Sequence, residues 1–197
     1  MNNYVYDFEG KTYLNLTNRC NNACTFCLRN HKDGVAQDPL WLEQEPNGQD
    51  VIAMLKEQEE ISAEVVICGF GEPTMNLEAL LEVAAYLKGT GRKIRLNTNG
   101  LGNLQHGRDI VPQLAEVVDS VSISLNEADA EKYQAVCCSD FGLEAFDGML
   151  DFAEKCVKAG METKLSVVDV ISAGDIEKCR GIAEKVGAEL RVREYIS

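Results

Sequence analysis

The sequence predicts an α/β fold in which a parallel sheet curves into an incomplete six-stranded barrel, a (βα)6 relative of the TIM barrel. Three observations predict it. Short apolar strand candidates alternate with segments of helical period, which is typical of a parallel sheet covered by helices. The 197 residues are too few for a closed eight-fold barrel, which takes about 250. No linker, repeat or low-complexity tract divides the chain, so we expect a single domain over residues 1–197.

Six segments have the length and composition of strands. They are Thr12–Thr17, Glu64–Cys68, Lys93–Asn97, Ser120–Leu125, Thr163–Val168 and Glu189–Tyr195. Within most of them, apolar residues occupy every second position and polar residues the positions between, so that the two types face opposite sides of the sheet. Because parallel strands normally have both faces covered, the polar parity predicts an inner face that lines a cavity for a polar ligand. The alternative is an antiparallel sheet with one wet face.

Helical segments separate these strands. Apolar residues recur at helical spacing from Leu77 to Leu87, from Leu143 to Val157 and from Ile176 to Val186. These three amphipathic segments are the helices that we expect to cover the outer face of the sheet.

Composition and charge limit the function classes. The formal net charge is −13, which argues against a broad surface that follows nucleic-acid phosphates. No apolar run is long enough to span a bilayer, and the N-terminal stretch MNNYVYDFEGK has no apolar signal region. We therefore expect a cytoplasmic protein, in which thiols stay reduced and clustered cysteines bind metal more often than they pair.

The stretch TNRCNNACTFCLRN places three cysteines, Cys20, Cys24 and Cys27, directly after the first predicted strand. The carboxyl ends of parallel strands are where such folds bind ligands. Three thiolates can hold three irons of a 4Fe–4S cluster and leave the fourth iron open. The alternative is a three-cysteine zinc site completed by His31 or an acidic group. The other five cysteines are dispersed, and we expect them to be structural.

The residues around these cysteines carry a resemblance to a known family. CNNACTFC resembles the C-x3-C-x2-C signature of the radical S-adenosylmethionine (SAM) superfamily, CGFGEPTM resembles its glycine–glycine–glutamate segment, and RLNTNG and SVSISLN resemble its SAM-contacting strand ends. LNTNGLGNLQHGRDIVP, WLEQEP and RVREYI are similar to the small radical SAM proteins associated with TatD-family hydrolases. That likeness covers nearly the whole chain.

The resemblance implies a chemistry. In such enzymes SAM chelates the open iron of the 4Fe–4S cluster, and an electron from a reductant such as flavodoxin or ferredoxin cleaves it to methionine and a 5′-deoxyadenosyl radical. The radical abstracts hydrogen from substrate. Association with TatD-family hydrolases indicates a functional link to them and a nucleotide-derived substrate. Two alternatives stay open: an activase that makes a radical on a partner protein, and a non-catalytic SAM- or metal-binding protein.

The resemblance also implies roles for residues. Cys20, Cys24 and Cys27 would hold the cluster, and Gly69, Gly71 and Glu72 would shape the site for the SAM amino group. Further SAM contacts are expected from Asn97, Asn99, Ser124, Asn126, Lys164 and Val168. Of these, Lys164 would pair with the SAM carboxylate and Val168 would lie near the adenine, whereas Asn99 and Asn126 have an alternative role in turns or caps.

Three arginines on the predicted inner face, Arg95, Arg191 and Arg193, predict an anionic substrate, because a buried arginine requires an anion. The alternative is that Glu194 and Asp169 pair with them structurally. The sequence singles out no catalytic residue.

Overall fold

The computed structural model describes residues 2–35 and 38–195, which form a seven-stranded sheet, a separate two-stranded pair and seven α-helices. The strands are β1 Val5–Phe8, β2 Lys11–Leu14, β3 Gly34–Val35, β4 Asp38–Pro39, β5 Glu64–Ile67, β6 Lys93–Thr98, β7 Ser120–Ser124, β8 Glu162–Val168 and β9 Glu189–Arg193. The helices are α1 Gly48–Glu57, α2 Leu77–Gly89, α3 Gly102–His106, α4 Val111–Val117, α5 Ala130–Cys137, α6 Glu144–Lys158 and α7 Ala173–Val186. Short 3-10 turns occupy Leu28–Asn30 and Pro73–Asn76.

The sheet has the order β1-β2-β5-β6-β7-β8-β9. All six predicted strands are present, and they pair in parallel with their sequence neighbours. The prediction of a mostly parallel α/β sheet is therefore confirmed, and the antiparallel alternative is wrong for these strands. Several ends differ, since the first strand stops at Leu14 and not Thr17, and the last stops at Arg193 and not Tyr195.

One strand of the sheet was not predicted. β1 pairs antiparallel with β2 through a two-residue turn, in which Glu9 and Gly10 both have positive φ, at 50° and 72°. Two left-handed residues are the requirement of a type I′ hairpin, and glycine meets it at the second position without strain. The hairpin makes β1, and not β2, the edge of the sheet.

The main core lies between the helices and the face of the sheet that carries the apolar residues of the strands. Leu14, Ile67, Leu96, Ile123 and Leu165 are fully buried, and all belong to this one cluster. The predicted helical segments correspond to α2, α6 and α7. No helix within residues 2–35 and 38–195 is both long and apolar enough to cross a membrane.

The opposite face is not uniformly polar, which corrects the expectation for its first strands. Tyr6, Leu40 and Phe70 form a second buried apolar cluster, with Tyr13 packed against it. The Tyr6 and Tyr13 rings have centroids 5.3 Å apart. The face therefore has an aromatic end near β1 and β2 and a polar remainder.

Side chains on distant strands influence one another electrostatically over this face. β9 is four strands away from β5, about 19 Å in a flat sheet at the usual strand spacing. Burial raises the pKa of the Cys68 thiol, which follows β5, while a hydrogen bond with Asn97 and the charges of Arg193 and Arg95 act in the opposite direction. Arg193 is thus an electrostatic neighbour of Cys68 despite the intervening strands.

Candidate functional site

The predicted cofactor residues gather at the carboxyl ends of the parallel strands. The cysteine loop follows β2, the segment from Cys68 to Glu72 follows β5, and Asn99 and Asn126 follow β6 and β7. The successive ends of parallel strands share one edge of the sheet, so these four segments are neighbours. Segments that are far apart in the sequence thus come together in a single site.

The backbone of the cysteine loop is tied to helix α5. Ala23 N–H donates to the Cys137 carbonyl at 3.0 Å, and Thr25 N–H donates to the Val136 carbonyl at 2.9 Å. Cys24 lies between these two donors and faces Cys137. Main-chain hydrogen bonds therefore hold the loop against the C-terminal end of α5.

Arg29 stabilises the same loop from inside. Its Nη2 donates to the Asn22 carbonyl at 3.0 Å, and its Nη1 reaches the Asn18 carbonyl at 3.4 Å. The guanidinium charge also favours the thiolate forms of the three cysteines, since it opposes the rise in their pKa values. A cation here compensates the negative charge of thiolate ligands.

The three thiols are half-buried. Burial, followed by the charge of Glu72, raises the pKa of Cys20 to about 12. A hydrogen bond with Cys137, followed by burial, raises the pKa of Cys24, and burial raises that of Cys27. Among the residues that the structure describes, no three His, Cys, Asp or Glu side chains converge into a ready metal site. A thiol must lose its proton to bind metal, so metal binding at this loop would release protons.

Glu72 is buried and fully engaged with the protein. Its Oε1 accepts from Thr74 N at 3.1 Å, Thr74 Oγ1 at 2.8 Å and Thr98 Oγ1 at 2.7 Å, and its Oε2 accepts from Asn99 N at 2.7 Å. Burial raises the pKa of Glu72, and these four hydrogen bonds oppose the rise. The carboxylate therefore joins the loop after β5 to the end of β6.

Gly69 and Gly71 are sites of close backbone approach. A Cβ on Gly71 would lie 2.3 Å from the Thr17 carbonyl oxygen and 2.5 Å from that of Arg19. A Cβ on Gly69 would lie 2.0 Å from Asn15 Oδ1. No other residue fits at either position without a shift, so the loop can lie directly on the segment that leads to the cysteines.

Asn99 joins the end of β6 to the cysteine loop. Its Nδ2 donates to Asn21 Oδ1 at 2.5 Å and lies 3.9 Å from Cys20 Sγ, while its Oδ1 accepts from Leu101 N at 3.0 Å. The Oδ1 contact is the turn role given above as the alternative for Asn99. The Nδ2 contact sets the position of a thiol.

Asn126 has an unusual backbone and a half-satisfied side chain. Its φ is 60°, and its Nδ2 donates to Cys137 Sγ at 3.3 Å. Its buried Oδ1 has no partner within the described ranges, and the same is true of Asn97 Oδ1. Ser124, half-buried at the end of β7, forms no hydrogen bond through its side chain there. Asn97, Ser124 and Asn126 thus offer free polar atoms to a ligand.

Unpartnered buried polar atoms are concentrated on this side of the sheet. Eight such side-chain atoms occur in the described part of the chain, and seven lie on the polar face or in the cysteine loop. They are Asn15 Oδ1, Asn21 Nδ2, Asn22 Oδ1, Arg95 Nε, Asn97 Oδ1, Asn126 Oδ1 and Arg193 Nε. Buried polar groups in folded proteins are nearly always hydrogen-bonded, so their clustering marks the place of a polar ligand.

Lys164 and Val168 lie on β8. The Lys164 ammonium is 3.3 Å from Glu189 and 3.4 Å from Glu162, and these partners raise its pKa. It therefore has carboxylate partners within the protein, which compete with the predicted SAM carboxylate. Val168 is buried and pairs in register with Arg193.

The three predicted substrate arginines share the polar face. Arg95 lies 3.9 Å from Glu64, whereas Arg191 and Arg193 form no ion pair within residues 2–35 and 38–195. The alternative that Asp169 pairs with these arginines is wrong, because its carboxylate instead accepts a hydrogen bond from Tyr195 N at 2.7 Å. Glu194 forms no ion pair with them in the same ranges.

Sequence reasoning missed two residues of the site. Arg29 follows the last cysteine by two positions, and a basic residue there was the available signal. Cys137 was expected to be structural, yet it is buried against Cys24 and Asn126. No sequence pattern could have placed it there, because the contact depends on how α5 packs.

Comparison with known proteins identifies the family. The model of the Radical SAM superfamily matches residues 14–178, which is most of the chain. A probable GTP 3′,8-cyclase of Thermococcus kodakarensis is 24% identical over 197 residues, covering 96% of this chain and 59% of that protein. A putative glycyl-radical enzyme activating enzyme of Methanocaldococcus jannaschii is 24% identical over 175 residues, covering 85% and 65%. The chain thus spans less than two thirds of the length of either relative.

Solved structures agree on the fold. Streptococcus suis SuiB bound to S-adenosylmethionine superposes with a TM-score of 0.69, covering 94% of this chain and 38% of that one, at 16% identity. At this identity the likeness concerns the fold alone.

Proposed function

Because the chain belongs to the radical SAM superfamily, whose members are enzymes that use a 4Fe–4S cluster and SAM, we propose that it abstracts hydrogen from a polar or anionic substrate. We propose that residues 1–197 form one radical SAM core domain. We also propose that the protein is cytoplasmic and that flavodoxin or ferredoxin is its reductant.

The observation that carries the proposal is the group of unpartnered polar atoms beside three thiols. Asn97 Oδ1 and Asn126 Oδ1 are buried, without hydrogen-bond partners among the described residues, at strand ends that neighbour the cysteine loop. A polar molecule bound there would satisfy both oxygens. The ammonium and hydroxyl groups of SAM are donors of the kind that these oxygens require.

The residues present fit both cofactors. Cys20, Cys24 and Cys27 supply three thiolates on one loop, and Arg29 balances their charge. When bound, the cluster supplies the electron that cleaves SAM to methionine and a 5′-deoxyadenosyl radical, the species that takes hydrogen from the substrate.

The protein's own part is to bind, orient and exclude water. Gly69 and Gly71 let the backbone approach, and Glu72 holds that loop against β6 for the SAM amino group. We assign polar contacts to Asn97, Ser124 and Asn126. Asn99 positions Cys20, which would come into contact with the cluster. Lys164 and Val168 are assigned to the SAM carboxylate and adenine, although Lys164 must first leave its two glutamates.

We propose that the sheet is the curved wall of a partial (βα)6 barrel. Its support is the electrostatic contact between Arg193 on β9 and Cys68 after β5, which a flat sheet would hold about 19 Å apart. Curvature toward the polar face shortens that distance and encloses the site.

The test is anaerobic reconstitution with iron and sulfide, followed by reduction and addition of SAM. We expect cluster absorbance and 5′-deoxyadenosine from the unmodified chain, and neither from Cys24→Ala. Cys138→Ala is the matched control, because Cys138 is exposed and outside the loop. A full, reducible cluster with no 5′-deoxyadenosine in the presence of candidate substrates would contradict catalysis and favour the non-catalytic binding role.

A second candidate, an activase acting on a partner protein, is favoured by the likeness to the putative activating enzyme. Its test is a radical signal on a co-purified partner in electron paramagnetic resonance, with Cys24→Ala as the control. The link to a TatD-family hydrolase and a nucleotide-derived substrate also remains part of the proposal, and the likeness to a probable GTP 3′,8-cyclase supports the nucleotide.

A further inference from the structure

One arginine of the polar face, Arg193, is half-buried, and its Nε is completely buried. Within the described ranges this Nε has no hydrogen-bond partner, and no carboxylate pairs with the guanidinium. Burial lowers the pKa of Arg193, and the like charge of Arg191 adds to that effect. A buried donor without a partner is costly, so it indicates an acceptor that binds there.

In the part of the chain that the structure describes, no carboxylate forms an ion pair with Arg191 or Arg193. Within the described ranges, Glu64 alone forms an ion pair with any of the three, at 3.9 Å from Arg95, and it is shared with Lys11. Burial raises the pKa of the neighbouring Cys68 thiol, which disfavours its anionic form. Arg191 and Arg193 therefore have no carboxylate partner in the described ranges, although the net charge of the chain is −13.

The three arginines lie on the same face of the sheet: Arg191 and Arg193 are two residues apart on β9, and Arg95 is on β6. The Nε atoms of Arg95 and Arg193 are both buried without a hydrogen-bond partner in the described ranges. In agreement with this placement, the charges of Arg193 and Arg95 both act to lower the pKa of Cys68, and those of Arg95 and Arg191 both act to lower the pKa of Tyr13. The Tyr13 hydroxyl has no hydrogen-bond partner among the described residues. Its ring packs on Tyr6, so an aromatic surface adjoins the cationic one.

We propose that Arg95, Arg191 and Arg193 bind a phosphate group of the substrate. This inference rests on the proposed function and specifies its substrate class. A phosphate dianion matches three guanidinium groups better than a singly charged carboxylate does, and guanidinium geometry suits its oxygens. Tyr13 donates a hydrogen bond to the same group, and the adjoining rings contact the rest of the substrate.

The test is phosphate binding by the reconstituted full chain, measured by calorimetry and thermal unfolding at constant ionic strength. Inorganic phosphate is the probe, acetate is the carboxylate control, and about 10 mM of each suffices for a weak site. Arg193→Met and Arg191→Met remove the charge. Arg180→Met is the matched control, because Arg180 is exposed on α7 and contacts only Glu177.

We expect phosphate to bind the unmodified chain and Arg180→Met equally. Its Kd should rise at least about tenfold in Arg193→Met and about threefold in the more exposed Arg191→Met. Without phosphate, Arg193→Met should unfold at the same temperature as the unmodified chain or higher, because an uncompensated charge is removed.

Three results would overturn the inference. Acetate that stabilises as well as phosphate would exclude a dianion site. An Arg193→Met chain that unfolds at lower temperature, or does not fold, would give Arg193 a structural role. Unchanged phosphate binding in Arg191→Met would exclude the shared site. Phosphate binding is measured without SAM cleavage, so failure here leaves the proposed function standing, and the reverse also holds.

Discussion

Replacing Glu72 by glutamine keeps the shape of the side chain and removes one acceptor oxygen from a buried group. The carboxylate accepts three hydrogen bonds at Oε1 and one, from Asn99 N, at Oε2. The new amide nitrogen takes the place of Oε2, since the other position faces three donors. It then opposes the Asn99 N–H, and a buried donor loses its partner.

The magnitude follows from these contacts. One buried N–H left unpaired costs about 1–3 kcal/mol, and three further hydrogen bonds lose the strength that a charged acceptor gives them. Removing a costly buried charge returns part of this, because burial raises the pKa of Glu72. We expect Glu72→Gln to lower the free energy of unfolding by about 2 kcal/mol, or Tm by about 4–8 °C for a domain of this size.

The assay is urea unfolding of the metal-free chain, combined with amide hydrogen exchange at Asn99. Glu60→Gln is the control, because Glu60 is exposed in a loop and should change stability by less than about 0.5 kcal/mol. If Glu72→Gln unfolds like the control and the Asn99 amide exchanges no faster, Glu72 does not join the two strand ends and the reasoning fails.

Three other measurements test different parts of the structure. Gly71→Ala should cost about 2 kcal/mol in urea unfolding, because its Cβ would meet two backbone oxygens, whereas Gly181→Ala in the open interior of α7 should gain about 0.5–1 kcal/mol. Hydrogen bonds from two lysines and a serine, with the lysine on α5 first, hold the pKa of Asp175 below its ordinary 3.8. This stabilisation is fully present above pH 3.8 and is lost as the pH falls through the lower pKa of the folded chain. The difference in free energy of unfolding between the unmodified chain and Asp175→Asn should therefore be constant near neutrality and should decrease in acid. A difference that increases in acid would contradict the lowered pKa of Asp175. With N-ethylmaleimide and mass spectrometry, exposed Cys138 should react first and its buried neighbour Cys137 only on unfolding, and equal rates would contradict the position of α5.

The alternation of residues along each strand was enough to predict the parallel sheet. A polar parity beside an apolar one, with helical spacers between, has few other solutions in a chain of this length. The strand β1 was not predicted because its turn, Glu9-Gly10, lacks the asparagine or aspartate that commonly marks such hairpins. Its apolar residues were therefore not recognised as an edge strand.

The site was only partly predictable. Loop positions after strands follow from sequence order, which is why the cysteines, Gly71 and Asn126 meet. The roles of Glu72 and Lys164 depend on partners from other strands, such as Asn99 and Glu189. Such partners follow from three-dimensional register, and a single sequence does not state them.

Protein groups tie the cysteine loop to the rest of the fold: two main-chain hydrogen bonds join it to α5, and Arg29 donates to two of its carbonyls. Small zinc modules, in contrast, have few such ties and stay unfolded until metal arrives. We therefore expect loss of the cluster to weaken this loop less than loss of zinc weakens such a module.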